Sequence, residues 1–537
     1  METQVMHSIE TQLSRMTVEQ KLGQLFCISL GSTSVDAEFL EAVQGYCFGN
    51  ASLYGLNIQT LKQVRAMTQN IQEEMTLASG GVEALITVDE EGGSASQFSF
   101  GVTKMPGNFS LGAANDVESI RLMGQILGNE LSDVGFNMLL GPVLDLCRSP
   151  LNRIIGVRAF SDDPKRTALL GAAFAKGVEK GGCACTFKHF PGHGAPVMKN
   201  GLPINNCTEE ELLELDAHPF RQAIREGAKS IMVGHIALPK LHENGELIPA
   251  SLSARIINNL LRDKLGFTGV AIADGAVAEQ YPFAKATMLA FKAGTDIIVH
   301  SSIRHQITAW KALMNGLRKG KFTMEELDEH VRRILKLKAH VKACRENRET
   351  LFELEKSTIV RRTMQKSVTL LRDPLHLVPL GDKYRRALIV SPVLESLSML
   401  DGNSKEFNTF GDHMALLFPQ AKVRRVSLAP TSEEREELTS LAAESDVVVI
   451  GSENANEFPQ YLSLINTLAA LRPTIVVSLR FAYEATVIDP KATVLGAFTF
   501  INQAMEAVAD VLSGRLQAEG EVPIHLDGDS VSSTPEM

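Results

Sequence analysis

Between residues 25 and 340 short apolar runs alternate with longer amphipathic stretches. The runs are Leu25–Leu30, Ala84–Val88, Met138–Leu144, Cys183–Phe187, Ser230–Gly234, Val270–Ala273 and Ile297–Val299. Buried strands alternating with helices predict a parallel sheet covered on both faces. A closed barrel and an open, doubly wound sheet both satisfy that pattern. The carboxyl ends of the runs discriminate between them, because Asp89, Asp145, Lys188, His189, His235, Asp274 and His300 stand there. Polar residues from so many strand ends converge on one site only if the sheet closes. The pattern therefore favours a TIM-type (β/α)8 barrel over residues 1–345.

Residues 323–366 read as helix, and Ser367 to Asp373 as extended chain, so 346–380 is expected to be a connector. Strands are then predicted at Ala387–Val390, Asp446–Ile450, Thr474–Leu479 and Val494–Phe500, alternating with helices. This is the pattern of a second, smaller open α/β domain, a sandwich of helices on a sheet, over 381–537. It lacks the G-x-G-x-x-G fingerprint, so no dinucleotide site is expected. The polar tail from Gly520 onward is expected to fray at its end.

Composition narrows the class. A length of 537 residues supports more than one hydrophobic core. The formal net charge of -10 supplies no basic footprint for nucleic acid. No apolar run approaches the roughly 20 residues that cross a bilayer, so no membrane association is expected. The start Met1-Glu2-Thr3-Gln4 has neither a basic region nor an apolar core of a signal peptide. Seven scattered cysteines, an odd number, suit a reducing compartment. A cytoplasmic protein is the expectation, its oligomeric state left open. Cys183 and Cys185 share one face of a strand and are read as small buried residues rather than a metal pair, since no second Cys/His pair stands at ligand spacing.

The chemistry concentrates in Lys188-His189-Phe190-Pro191-Gly192-His193-Gly194, three ionisable side chains at the end of an apolar strand and in the turn beyond it. Asp274, between Ala273 and Gly275, is placed either as a nucleophile at the barrel mouth or as the cap of the next helix. Asp89 opens an acidic turn, Glu90-Glu91-Gly92-Gly93, suited to polar ligands or simply to solvent. Lys188 and His189 would complement it with donors. Arg158 either reaches the same mouth or pairs with a loop acid, and His193 either meets the ligand or braces the Pro-Gly turn. His235 and His300 are read as wall residues.

These motifs, together with Asn152–Pro164, the Pro249-Ala250-Ser251-Leu252-Ser253 segment and the Lys366–Leu371 connector, resemble family 3 glycoside hydrolases across both domains, in particular the β-N-acetylglucosaminidase branch. The resemblance implies a retaining glycosidase that needs no metal or organic cofactor and acts on a small carbohydrate. Asp274 would be the nucleophile, and Asp89, Arg158, Lys188 and His189 would hold the terminal sugar. The chain departs from that branch in three places. The expected Asp-Ser-His acid/base segment after Gly194 is replaced by Ala195-Pro196-Val197-Met198-Lys199-Asn200-Gly201, and the two arginines expected after Gly92-Gly93 are Ser94 and Gln97. In the β-glucosidase branch a second-domain Glu protonates the leaving group. Here Glu453 and Glu457 follow Val448-Val449-Ile450-Gly451 at comparable spacing, and both become candidates, with exposed loop positions as the alternative. The readings thus carried forward are release of a terminal β-linked N-acetylhexosamine or related hexose, an impaired homologue that binds a sugar or protein partner, and, on thinner grounds, a phosphorylase or transglycosidase.

Overall fold

The computed structural model describes residues 2–150, 152, 154–199, 201–273, 281–300, 302–393 and 409–526. Nine parallel strands form the first sheet: β1 (Phe26–Ile28), β2 (Asn50–Leu53), β3 (Leu85–Val88), β4 (Met138–Leu139), β5 (Ala184–Cys185), β6 (Phe187–Phe190), and, after a small hairpin of β7 (Val197–Lys199) and β8 (Leu202–Ile204), β9 (Ser230–Val233), β10 (Val270–Ala273) and β11 (Ile297–Val299). Their order is β5-β4-β3-β2-β1-β11-β10-β9-β6. Only Thr186 separates β5 from β6, so these two halves of one run join the ends of the sheet. The result is a barrel rather than a doubly wound sheet. Thr186 secures the junction by donating its N–H to the carbonyls of Leu139 and Gly141.

The barrel strands are buried on both faces, as β3, β9 and β10 show along their whole lengths. Burying each Val, Leu or Ile side chain contributes about 1.5–3 kcal/mol, which explains why the runs read as continuously apolar. β2 is the exception. Its sequence Asn50-Ala51-Ser52-Leu53 shows no apolar run, yet it is fully buried because the Asn50 amide donates to the carbonyls of Gln24 and Phe26 at 2.8 and 3.1 Å.

The expected helix over 323–366 is two helices, Met324–Glu346 and Glu353–Ser367. The first crosses the amino-terminal end of the barrel, its floor: Lys338 donates to the Gln24 side chain and the Gly49 carbonyl, just before β1 and β2. The expected extended connector contains a strand, β12 (Thr369–Arg372), antiparallel on β17 (Thr493–Gly496) at one edge of the second sheet. That sheet continues through β16 (Thr474–Ser478), β15 (Val447–Ser452) and β13 (Arg386–Pro392) to β14 (Gln420–Val426), all parallel. β14 escapes a pattern search because it is a charged edge strand, Gln420-Ala421-Lys422-Val423-Arg424-Arg425-Val426, largely exposed, as edges that avoid aggregation usually are.

The two units pack directly. Phe109 beside the barrel mouth meets Phe481 and Phe498 edge-on, with ring centroids 5.4 and 5.0 Å away, and Ser110 donates to the Ala497 carbonyl at 3.0 Å. The segment from Gly520 to residue 526 is anchored on the barrel unit. The Pro523 carbonyl accepts from the Ser161 hydroxyl and the Asp162 N–H, and Ile524 is buried. The end of this tail, residues 527–537, lies outside the described residues.

Candidate active site

Four of the five residues expected to hold a sugar meet in one ionic network at the carboxyl-terminal mouth of the barrel. Lys188, on β6, forms ion pairs with Asp89 and, at 2.5 Å, with Glu91. Arg158 takes Glu91 in a two-pronged pair, both contacts at 2.7 Å, and its Nη2 lies 3.5 Å from His189 Nε2. Because a guanidinium only donates, the proton of His189 that faces Asp145, across 2.7 Å, sits on Nδ1. Asp145 also accepts the backbone N–H of His189 and of His193, at 3.1 and 2.7 Å. The His193 backbone thus ties the Pro-Gly turn to Asp145, and its ring packs edge-on to His189 with centroids 5.4 Å apart.

The electrostatics follow from these contacts. Burial works to raise Glu91, but Arg158 and Lys188 outweigh it and hold the carboxyl well below the usual range. Burial likewise opposes charge on Asp145, yet His189 and His193 lower it to about 2. Asp89 behaves differently: burial raises it, and the charge of Glu91 adds to that against the pull of Lys188. Asp89 shares one cation with Glu91, whereas Glu91 has two. Its side chain also stays 21% exposed while those of Lys188 and Glu91 are 1% and 4% exposed. Asp89 is therefore the acceptor that the network presents, and Glu91 the buried counter-charge that holds Lys188 and Arg158 in place.

The turn after Phe190 is fixed from behind. Asp216, fully buried, accepts from Arg148 at 3.0 Å and from the Asn205 amide at 3.3 Å. A Cβ on Gly194 would stand 2.6 Å from that amide nitrogen, and one on Gly192 2.7 Å from the Asp216 Cβ. Both glycines have positive φ, +60° at Gly194 and +111° at Gly192, so close approach and backbone conformation exclude larger residues together. Beyond Gly194, where a different acid/base segment would be expected, the chain forms the β7–β8 hairpin, with Met198 and Lys199 exposed.

Asp274 lies outside the described residues. Glu453 and Glu457 follow β15, and Glu453 is not an exposed loop residue: it is buried and paired with Arg480 at 3.0 Å. Glu457 is half-buried and accepts from the Asn454 amide at 3.3 Å. Arg480 itself lines a cleft with Glu91, Ser94 and Arg158, so the second unit meets the sugar platform at that point. Next to it a cavity of about 320 Å³ is lined by Ser94, Ser96, Lys104, Thr409, Asn502 and Gln503, among others. Ser94 faces these spaces. Gln97 is scaffold: its side chain accepts from the Gly55 N–H at 2.7 Å and its own N–H donates to Glu90 at 2.6 Å. His235 pairs with Ser251, and His300 packs on Phe283, consistent with wall roles.

Three residues escape sequence reasoning as members of the site: Glu91, Asp145 and Asp216. Glu91 carries a usable signal, since it stands two positions after Asp89 in a chain leaving a strand. Asp145 shows itself only as a polar strand end. Asp216, at the end of a charged helical stretch, carries none.

A barrel whose carboxyl-terminal mouth gathers carboxylates, a lysine and an arginine around an open acceptor is the architecture of an enzyme active site. Residues 17–337 match the family profile described as Glycosyl hydrolase family 3 N terminal domain. The chain belongs to glycoside hydrolase family 3. A β-N-acetylglucosaminidase/β-glucosidase of Cellulomonas fimi is 26% identical, covering 96% of this chain and 95% of its own. A β-hexosaminidase A of Pseudoalteromonas piscicida is 30% identical over 57% of this chain and 56% of its own. The solved structure of a family 3 β-N-acetylglucosaminidase from Paenibacillus sp. str. FPU-7 superposes with a TM-score of 0.87 at 30% identity, covering 95% of this chain and 99% of that one.

Proposed function

We propose that the protein is a retaining glycosidase that releases a terminal β-linked N-acetylhexosamine or a related hexose. The observation that carries this reading is the Lys188–Asp89–Glu91–Arg158 network, with Asp89 left open to solvent at the mouth. Hydroxyl groups of a sugar need both acceptors and donors at fixed positions. Asp89 and Lys188 offer them on a support that the buried Glu91 and Arg158 hold rigid, which lowers the ordering cost of binding. The names of the relatives support the N-acetylhexosamine.

Asp274, directly after β10, is the proposed nucleophile, attacking the anomeric carbon to form a glycosyl-enzyme. In retaining enzymes the second carboxyl group stands about 5 Å away and first protonates the leaving oxygen, then activates water. Glu457 is the proposed acid. Glu457 stands half-buried on the loop after β15, at the spacing of the acid in the β-glucosidase branch, whereas Glu453 is buried and paired with Arg480. The unpaired state of all seven cysteines supports a reducing, cytoplasmic setting.

The test compares two aryl glycosides of β-N-acetylglucosamine, one with a p-nitrophenyl group and one with a poorer leaving group. Asp274→Asn is expected to stop cleavage of both. Glu457→Gln is expected to slow the poorer substrate by about 10²–10⁴ and the activated one far less. Equal slowing would assign the proton donor elsewhere, and an inert wild-type enzyme across a broad panel of glycosides would sink the hydrolase reading.

A further inference from the structure

On the floor of the barrel, at the opposite end from the sugar site, three side chains converge that the proposed glycosidase chemistry does not use. Glu179 stands in the last turn of the helix Pro164–Lys180, which leads into β5. His340 and Cys344 lie four residues apart, and so on one face, of the crossing helix Met324–Glu346. His340 Nε2 is 3.1 Å from Glu179 Oε1 and 3.5 Å from Cys344 Sγ, and the three ligand atoms all lie within 4.8 Å of one another. The second Cys/His pair that the sequence seemed to lack is thus present, supplied by helical rather than strand spacing.

We propose that Glu179, His340 and Cys344 bind a zinc-class divalent cation. Around a tetrahedral zinc with bonds of about 2.0–2.3 Å to nitrogen, oxygen and sulfur, neighbouring ligand atoms stand about 3.3–3.6 Å apart. The His340–Glu179 and His340–Cys344 separations, 3.1 and 3.5 Å, lie in or within about 0.2 Å of that range, so His340 already stands at ligand spacing from both partners. The donor set of one carboxylate, one imidazole and one thiolate is also zinc's, and it excludes the hard cations, which avoid sulfur. Water takes the fourth position, because Glu179 and His340 are partly exposed. On binding, the Cys344 proton leaves to solvent, the thiolate sulfur and the His340 Nε2 lone pair bond the metal, and the remaining imidazole proton sits on Nδ1. Without a cation burial keeps that thiol protonated, raised to about 12. The consequence is structural: the ion would tie the crossing helix to the start of β5.

The test uses the full chain, stripped with a chelator and kept reduced. Zinc is expected to bind once per chain in calorimetry and to raise the melting temperature, and cobalt(II) to give the intense absorption of a thiolate–metal bond. Cys344→Ser is expected to abolish that absorption, and Cys344→Ser, His340→Gln and Glu179→Gln each to weaken zinc by at least about tenfold. Cys47→Ser, at a half-buried thiol elsewhere, is expected to leave both readouts intact. Should Cys344→Ser fail to fold, the His340 and Glu179 variants decide on the same calorimetric readout. Absence of saturable binding, or binding that survives His340→Gln and Glu179→Gln, overturns the proposal.

Discussion

The barrel buries charge at both ends, and the two ends handle it differently. At the floor Asp296, immediately before β11, is fully buried and meets Arg262 at 2.7 Å, Arg333 at 2.8 Å and His330 at 2.8 Å, with the Ala271 N–H as a further donor. Burial opposes its charge, but Arg333 and Arg262 hold it far below the ordinary range. At the mouth Lys188, Arg158, Glu91 and Asp145 are as deeply buried, yet Asp89 keeps part of its carboxylate in the open. Perturbed carboxylates alone therefore do not mark a site, since the floor has the same signature with every oxygen engaged. What marks the mouth is an acceptor held in position while still able to meet a ligand.

Removing the acid at each end should separate stability from catalysis. The largest effect is expected at the floor, where Asp296→Ala leaves the half-buried guanidinium groups of Arg262 and Arg333 without their shared counter-charge. Breaking such a pair costs about 3–5 kcal/mol, visible in urea denaturation, while kcat/KM of the folded fraction on an aryl glycoside should stay near wild type. A large kinetic loss without destabilisation would give the floor a role in the reaction.

A smaller free energy with a different readout is expected at the mouth. In Asp89→Ala, Lys188 retains Glu91, so stability should fall by no more than about 1–2 kcal/mol. The kinetic cost should be greater. Hydrogen bonds to a charged group are worth about 1.5–3 kcal/mol each, which places the loss in kcat/KM near 10–150-fold for every sugar hydroxyl that Asp89 holds. If Asp89→Ala instead unfolds the protein while sparing kcat/KM, the contrast between the two ends fails.

That contrast was only half legible beforehand. The apolar runs located seven of the barrel strand positions because a strand buried on both faces has no room for polar side chains. β2 stayed hidden, since the Asn50 amide nitrogen donates to neighbouring carbonyls, something composition cannot reveal. Asp89, Arg158, Lys188 and His189 could be named as a group. Which acid is buried and which is presented could not, because Asp89 and Glu91 differ only in how many cations reach them, a property of loops brought together from residues 89–91, 158 and 188. The helix Met324–Glu346 reads as an ordinary amphipathic surface helix with many charges. Only closure of the barrel turns His330, Arg333 and Lys338 inward onto the floor.

Lys338 allows the finest test of how the floor treats charge. Its ammonium is buried and, among the described residues, bonds the neutral Gln24 side chain at 2.6 Å and the Gly49 carbonyl at 3.0 Å, and burial lowers it to about 7. An unfolded lysine keeps its proton to about 10.4. Between those values the unfolded state binds a proton that the native state has released, so this group adds stability as pH rises. Below pH 7 both states hold the proton, and its contribution to the slope vanishes. Lys338→Met removes the titration, so wild type should gain stability relative to the variant from pH 7 to 8.5, by up to about 1.4 kcal/mol per pH unit. Restricting urea melts to that window limits interference from thiols of the unfolded chain, which titrate near 8.5 and act in the opposite direction. A difference that stays flat across the window would mean that Lys338 remains charged in the fold, so that the floor tolerates a cation without a carboxylate partner.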